Sequence, residues 1–376
     1  MKPLLFATGH APAYRVGALA RLHEREQIEL ALFGGRSKHA GADFDGELPF
    51  PHHRVSQLEL ERLASSGRYR AVVCPTGGRV APLALWIGAR RSGAPLILWA
   101  SLWAHPRTLV HALSYVPLLG LYRSADAVVT YGPHVSAYVS ARGARNVHVA
   151  PQSVDNELWS SPAVVAPTDE RWPSTVECKF LFVGRADREK GLEVLLDAWR
   201  ASGLTAPAAA LVLVGVGARW QPHGDGGRRT TEASVLALDP VTPFELRNLY
   251  AAADVLVLPS IPTRTFREPW GLVVNEAMNR GLAVIASDAV GAAAGGLPQD
   301  GDNGVIVAAG DSDALARALT RVAGDATLRA RMGAAGANAV RSYSHDAWAA
   351  GFSQALASLG LSASLPLSPA SIGSVG

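Results

Sequence analysis

Short continuous apolar runs separated by longer amphipathic stretches set the rhythm of this chain. In the first half the runs are Lys2–Thr8, Ile28–Phe33, Ala71–Cys74, Pro95–Ala100, Ala125–Tyr131 and Val147–Ala150. They do not alternate apolar with polar residues, the pattern of strands covered on both faces in a parallel sheet. Helices are expected from about Arg15 and from Gly132-Pro133 to about Arg142. The second half repeats the rhythm. Its expected strands are Lys179–Val183, Ala209–Gly215, Val235–Leu238, Asp254–Ser260, Ala283–Ser287 and Val305–Val307. Its expected helices are Leu192–Trp199, Pro243–Ala252, Leu272–Arg280, Asp313–Ala323, Ala326–Val340 and Ser344–Leu359. Strand and helix alternating twice over predict an α/β fold of two domains. Arg36–Arg54 and His223–Thr231 read as polar loops. Pro162, Pro167 and Pro173 make a stiff boundary between the halves, expected as domains 1–160 and 161–343. A last helix spans 344–360, and the Ser-, Pro- and Gly-rich residues 361–376 are expected to be disordered.

Composition narrows the class. The 376 residues are 48% hydrophobic, and the two cysteines, Cys74 and Cys178, provide neither a disulfide framework nor metal-site spacing. The start, MKPLLFATGH, runs straight into a strand pattern without the apolar core of a signal peptide, and no stretch reaches the ~18 apolar residues of a spanning helix. The expected location is the cytoplasm, in solution or peripheral on the inner face of a membrane. Residues 1–155 carry 17 Lys and Arg against 10 Asp and Glu, net +7, and residues 156–376 carry 18 against 22, net −4. This asymmetry reads either as solvated helix faces or as a first half that meets an anionic acceptor or leaflet. Thr108 to Tyr122 is almost uncharged, with Val110, Leu113, Val116, Leu118, Leu119 and Leu121 around Pro117. It is either a buried helix or a surface patch flanked by Arg107 and Arg123. Basic residues do not form a stripe with aromatics, so nucleic acid is not an expected partner. His52 and His53 are adjacent, and neighbours in sequence do not share a face, which argues against a metal site.

The residues that carry chemistry are concentrated in Arg264–Gly281, RTFREPWGLVVNEAMNRG. Glu268 and Glu276 stand on either side of a Pro-Trp-Gly turn, the first on a loop and the second in a short helix closed by Gly281. The free amides of Gly271, Leu272 and Val273 at the helix start suit a phosphate, while the carboxylates suit hydroxyl groups. A second cluster, Gly184-Arg185-Ala186-Asp187-Arg188-Glu189-Lys190-Gly191, follows a strand and precedes an amphipathic helix. It is neither a Rossmann fingerprint nor a Walker loop. Arg185 offers a planar fork to phosphate oxygens and Lys190 a point charge.

Both clusters resemble motifs of the retaining glycosyltransferases of family four. Glu268 and Glu276 match that family's paired glutamates, and Gly184–Gly191 matches its Gly-Arg-x-x-x-x-Lys-Gly motif. Pro151–Trp159 is similar to its interdomain segment, with Gln152 for the commoner Asn and Trp159 for Phe. The resemblance implies a GT-B fold: two facing Rossmann-like domains, a central cleft, and a C-terminal helix crossing back to the first domain, where Trp348 and Phe352 would anchor it. It also implies transfer of a hexose-type sugar, with retention and without a metal, from a nucleotide diphosphate sugar to a glycan, lipid-linked or small-molecule acceptor. No cofactor is expected. By that resemblance Glu268, His105, Arg185 and Lys190 are the catalytic candidates. The donor would be held by Gly9, Gly184, Arg185, Lys190, Leu238, Gly271, Leu272, Val273 and Glu276, with Asp239 beside the base. His10 is a ligand-facing or a turn residue, and Trp99 and Trp103 form an aromatic wall or pack in the core. A nucleotide-sugar epimerase or a phosphorylase of the same shape is the alternative, with a non-catalytic sugar-binding protein behind it.

Overall fold

The computed structural model describes residues 1–34, 46–162, 176–217 and 234–362, and only the backbone of Leu109 and Val110. The expected loop His223–Thr231, Pro167 and Pro173, residues 36–45 of the first polar loop and the tail from 363 lie outside the described residues. The chain divides into two compact units. Unit 1 comprises Met1–Ser101, Leu113–Pro151 and His345–Gly376, and unit 2 comprises Leu102–Ala112 and Gln152–Ser344.

In chain order unit 1 contains β1 (Leu4–Thr8), α1 (Ala13–Glu26), β2 (Ile28–Leu32), β3 (His52–Arg54), α2 (Glu59–Ala64), β4 (Ala71–Pro75), α3 (Ala81–Ser92) and β5 (Leu96–Ala100). Then follow α4 (Leu109–Ser124), which belongs to this unit from Leu113 onward, β6 (Ala127–Thr130), α5 (Pro133–Ser140) and β7 (Val147–Val149). The strands form a parallel sheet in the order β3-β2-β1-β4-β5-β6-β7, so the order reverses between β1 and β4. Every residue of β1, β2, β4, β5 and β6 is buried, as their unbroken apolar runs require. Glu29 in β2 is tolerated there because Tyr69 donates to it and His53 Nε2 lies 2.6 Å away.

Unit 2 contains α6 (Asn156–Ser160), β8 (Cys178–Val183), α7 (Leu192–Ser202), β9 (Ala209–Val214), β10 (Val235–Leu238), α8 (Pro243–Ala252), β11 (Val255–Leu258) and α9 (Val273–Asn279). It continues with β12 (Ala283–Ser287), α10 (Gly291–Ala294), β13 (Gly304–Val307), α11 (Ser312–Ala323) and α12 (Ala326–Ala339). Its parallel sheet runs β10-β9-β8-β11-β12-β13 and reverses between β8 and β11. The last helix, α13 (His345–Ser358), belongs to unit 1, where Trp348 and Phe352 stack with Phe6 and Trp99.

Two expectations are corrected and one open reading is decided. His52–Arg54 is an edge strand rather than loop, because its backbone completes β2 in parallel register. Trp99 is a core residue and not part of a ligand wall. Residues 152–160 belong with unit 2 instead of the first domain: Asn156 donates to the Val340 carbonyl, accepts from Asn279, and Trp159 packs edge-on to Tyr250.

Candidate active site

The site is assembled within unit 2, from the loops that follow β8 and β11. These strands are neighbours at the point where sheet order reverses, the place where ligands bind in open α/β sheets. The loop after β8 turns through a short 3-10 segment, Arg188–Lys190, into α7. Gly191 makes the turn at φ +69°, and a Cβ there would lie 2.0 Å from the Pro259 carbonyl oxygen, so only glycine fits between the two loops. Ile261 N–H donates to the Glu189 carbonyl at 2.9 Å and locks the loops together.

This packing brings Lys190 to Glu268. Lys190 Nζ donates to Glu268 Oε2 at 2.5 Å, and Ser260 Oγ donates to the same oxygen at 3.2 Å. The lysine side chain is 18% exposed and the glutamate 9%, so the pair is largely withdrawn from water. Ser260 is fixed in turn, its carbonyl accepting from the Ser287 hydroxyl at the end of β12. The lysine of the Gly-Arg-x-x-x-x-Lys-Gly motif and the first paired glutamate are thus in one hydrogen-bonded cluster. Gly184 lies beside it: a Cβ on Gly184 would come within 3.7 Å of Lys190 Cδ.

Arg185 takes another course. Its Nη2 pairs with Asp187 Oδ2 at 2.7 Å, both side chains partly exposed, so this cation is held by its own loop. Among the described residues no hydrogen bond or ion pair joins it to Glu268.

Glu276 occupies a different environment. It is on α9, capped at Leu272 without a side-chain acceptor, and of the helix's first amides Val274 N–H already donates to the Gly271 carbonyl at 3.0 Å. Gly271 precedes the cap at φ +96°, where a Cβ would lie 2.8 Å from Leu258 Cδ2. Tyr250 of α8 donates its hydroxyl to Glu276 Oε2 at 2.9 Å. Burial pushes the Glu276 carboxyl up to about 7, and the Tyr250 hydrogen bond offsets only part of that rise. Burial, with Glu276 alongside, also raises the Tyr250 phenol well above its ordinary value.

The segment Leu102–Ala112 joins the same unit. Trp103 Nε1 donates to the Glu268 carbonyl at 2.9 Å, the Arg267 guanidinium lies 3.6 Å over the Trp103 ring, and Arg107 N–H donates to the Arg264 carbonyl at 2.6 Å. His105 is in this segment, with Nε2 2.7 Å from the His111 carbonyl oxygen. Leu238 ends β10, and its carbonyl already accepts the N–H groups of Gly215 and Gly217. Gly9 lies in unit 1, its carbonyl taking the Gly34 N–H at 3.0 Å. Sequence reasoning missed Ser260, Tyr250 and Arg267 and left Trp103 open. Ser260 directly follows an expected strand and was within reach, whereas Tyr250 is one apolar-face residue among several on its helix.

Comparison with known proteins falls on this region. The model of the family described as glycosyl transferases group 1 matches residues 177–325, which include Lys190, Glu268 and Glu276. Over 182 residues the chain is 35% identical to a D-inositol 3-phosphate glycosyltransferase of Corynebacterium kroppenstedtii, covering 45% of this chain and 37% of that protein. It is 37% identical over 164 residues to a phosphatidyl-myo-inositol mannosyltransferase of Mycobacterium leprae, covering 43% of this chain and 42% of that one. The chain thus matches about two-fifths of the length of these curated relatives. Its fold extends further: the Anabaena protein HepE, crystallised with UDP and glucose, superposes with a TM-score of 0.72 over 95% of this chain and all of that one, at 19% identity. Sucrose-phosphate synthase from Thermosynechococcus elongatus gives 0.66 over 96% of this chain at 20% identity. The architecture around the group 1 segment is GT-B.

Proposed function

We propose that this protein is a retaining glycosyltransferase that moves a hexose from a nucleotide diphosphate sugar to an acceptor hydroxyl. The observation that carries the reading is the Lys190–Glu268 ion pair at 2.5 Å, at the switch point of a group 1 segment. A cation and an acid held together in this way answer the two halves of such a donor. On binding, Lys190 turns from Glu268 to the diphosphate, with Arg185 and the first amides of α9 as further donors. Glu268 then accepts hydrogen bonds from sugar hydroxyls, and Glu276 with Tyr250 meets the ribose. As the anomeric carbon–phosphate oxygen bond breaks, charge gathers on the departing diphosphate. Preorganised donors of this kind lower such a barrier by about 3 kcal/mol each. The acceptor oxygen bonds to the anomeric carbon on the face the phosphate leaves, and its proton passes to the leaving phosphate. This route draws on no metal and no cofactor beyond the donor.

The relatives' names suggest the first acceptors to try. UDP-glucose, UDP-N-acetylglucosamine and GDP-mannose are incubated with inositol phosphate or with phosphatidylinositol, and nucleoside diphosphate release is followed together with the anomeric configuration of the product. Acceptor-dependent release with retention is expected. Turnover of donor without any acceptor, or phosphate-dependent release of sugar phosphate, would transfer the assignment to an epimerase or a phosphorylase.

A further inference from the structure

One face of unit 1 is built unlike the rest of the protein. The strands β4, β5, β6 and β7 follow one another in the sheet, so right-handed crossovers lay α3, α4 and α5 side by side on a single face. Contacts confirm the order: Trp86 Nε1 of α3 donates to Ser124 Oγ of α4 at 3.0 Å, and Arg142, just after α5, reaches over Tyr115 of α4 at 5.9 Å. The middle helix has no charged residue before Arg123. Its inner side buries Leu118, Leu121 and Tyr122, as a helix on a sheet should. Its outer side is apolar as well: Leu113 is 80% exposed and Val116 71%, and Pro117 and Gly120 continue the stripe to Arg123 at helical spacing.

Arginine dominates the charge around this stripe, with Arg91 of α3 paired to Glu61 of α2. From residue 62 to residue 154 the chain has ten arginines, no lysine and a single acidic residue, Asp126, whose carboxylate accepts the Leu96 N–H at 2.8 Å. Arg90, Arg123, Arg142 and Arg145 border the C-terminal ends of the three helices, and among the described residues none of them pairs with a carboxylate. Arg123 packs against the Gly143 turn that carries Arg142 and Arg145, which gathers three of these cations at one end of the stripe.

We infer that the α3–α4–α5 face docks on an anionic lipid leaflet, with Leu113 and Val116 entering the acyl boundary and the arginines on the headgroups. Charge decides between occupants. A second copy would set uncompensated arginines against their like, whereas a leaflet of anionic lipid supplies the missing counter-charge over a broad surface. Nucleic acid would leave the aliphatic stripe without a stacking partner. Two apolar side chains and a few cations make a weak, reversible attachment that needs both terms at once.

The test is co-sedimentation of the full chain with vesicles of phosphatidylcholine alone and of phosphatidylcholine with an equal amount of phosphatidylglycerol. Binding to the mixed vesicles only, weakening as salt is raised, is expected. Because each basic residue near such a surface contributes about 1 kcal/mol, Arg123→Ala and Arg145→Ala should each lower partitioning roughly five-fold. The double variant Leu113→Asp with Val116→Asp should abolish binding while its thermal transition stays that of the unaltered protein, both positions being largely exposed. Equal partitioning to both vesicle types, none to either, or undiminished binding by the double variant would each overturn the inference. So would a lipid-free dimer in light scattering that the same two substitutions dissolve. None of these readouts depends on sugar transfer, so the fate of this face and that of the proposed activity are separable.

Discussion

Glu276→Gln should stabilise this protein above neutral pH and leave it nearly unchanged in acid. Glu276 has an ordinary value of 4.5, and burial raises it to about 7 in the fold. The folded state therefore holds the proton more tightly than the unfolded chain. Stability linked to this group is fully present below about pH 4.5 and drains away as pH rises through about 7. At 1.36 kcal/mol for each unit, the difference amounts to about 3 kcal/mol. Glutamine has the shape of the protonated acid and keeps an oxygen for the Tyr250 hydroxyl, so the substitution removes the ionisation and little else. Urea titration of tryptophan fluorescence, at about pH 4 and about pH 8.5, measures it. The two proteins should match at the lower pH, and the variant should unfold at higher urea at the upper one. A variant that is less stable at about pH 8.5, or a difference that does not change with pH, would refute the assignment of the burial energy to this carboxyl. The same logic reaches function. Ribose hydroxyls donating to Glu276 favour its charged form, so nucleotide binding should release a proton near neutrality.

Three further outcomes follow from the Lys190–Glu268 cluster. Lys190→Ala leaves a buried carboxylate with Ser260 as its remaining partner; transfer measured by nucleotide release should fall at least ~100-fold, and stability by about 3 kcal/mol. Gly191→Ala drives a methyl group into the Pro259 carbonyl and should lower the melting temperature by several degrees, which calorimetry would register. Trp103→Phe keeps a ring under Arg267 but removes the hydrogen bond to the Glu268 carbonyl, and should cost about 1 kcal/mol, read as a loss in kcat/KM with a transition otherwise unaltered.

What the sequence disclosed follows from how local each determinant is. The doubly buried strands were legible because burial on both faces writes itself as unbroken apolar residues, and the two-sheet α/β architecture could be read from their number and spacing. His52–Arg54 was not, since its pairing with β2 is made by backbone groups alone and three polar residues carry no signature of an edge. The same distinction runs through the site. Glu268, Glu276 and Lys190 could be named from motifs that resemble a known family's, whereas the contact between Lys190 and Glu268 spans 78 positions and exists only because β8 and β11 are neighbours.

Electrostatic states were further from view than positions. Two glutamates eight positions apart look alike on paper, yet Glu268 is met by an ammonium and a hydroxyl group, and Glu276 by a phenol in a buried surround that favours its neutral form. The difference comes from Tyr250 and the packing of α8, elements whose sequence reports an ordinary amphipathic helix. Arg185 shows the converse: its motif suggests a phosphate clamp, while the fold supplies Asp187 within the same loop as a ready counterion. A diphosphate must compete with that carboxylate for Arg185 and with Glu268 for Lys190. Asp187→Asn would free the more exposed of the two cations, so nucleotide should bind more tightly to that variant in calorimetric titration, and weaker binding would show that Asp187 positions the guanidinium for the phosphates.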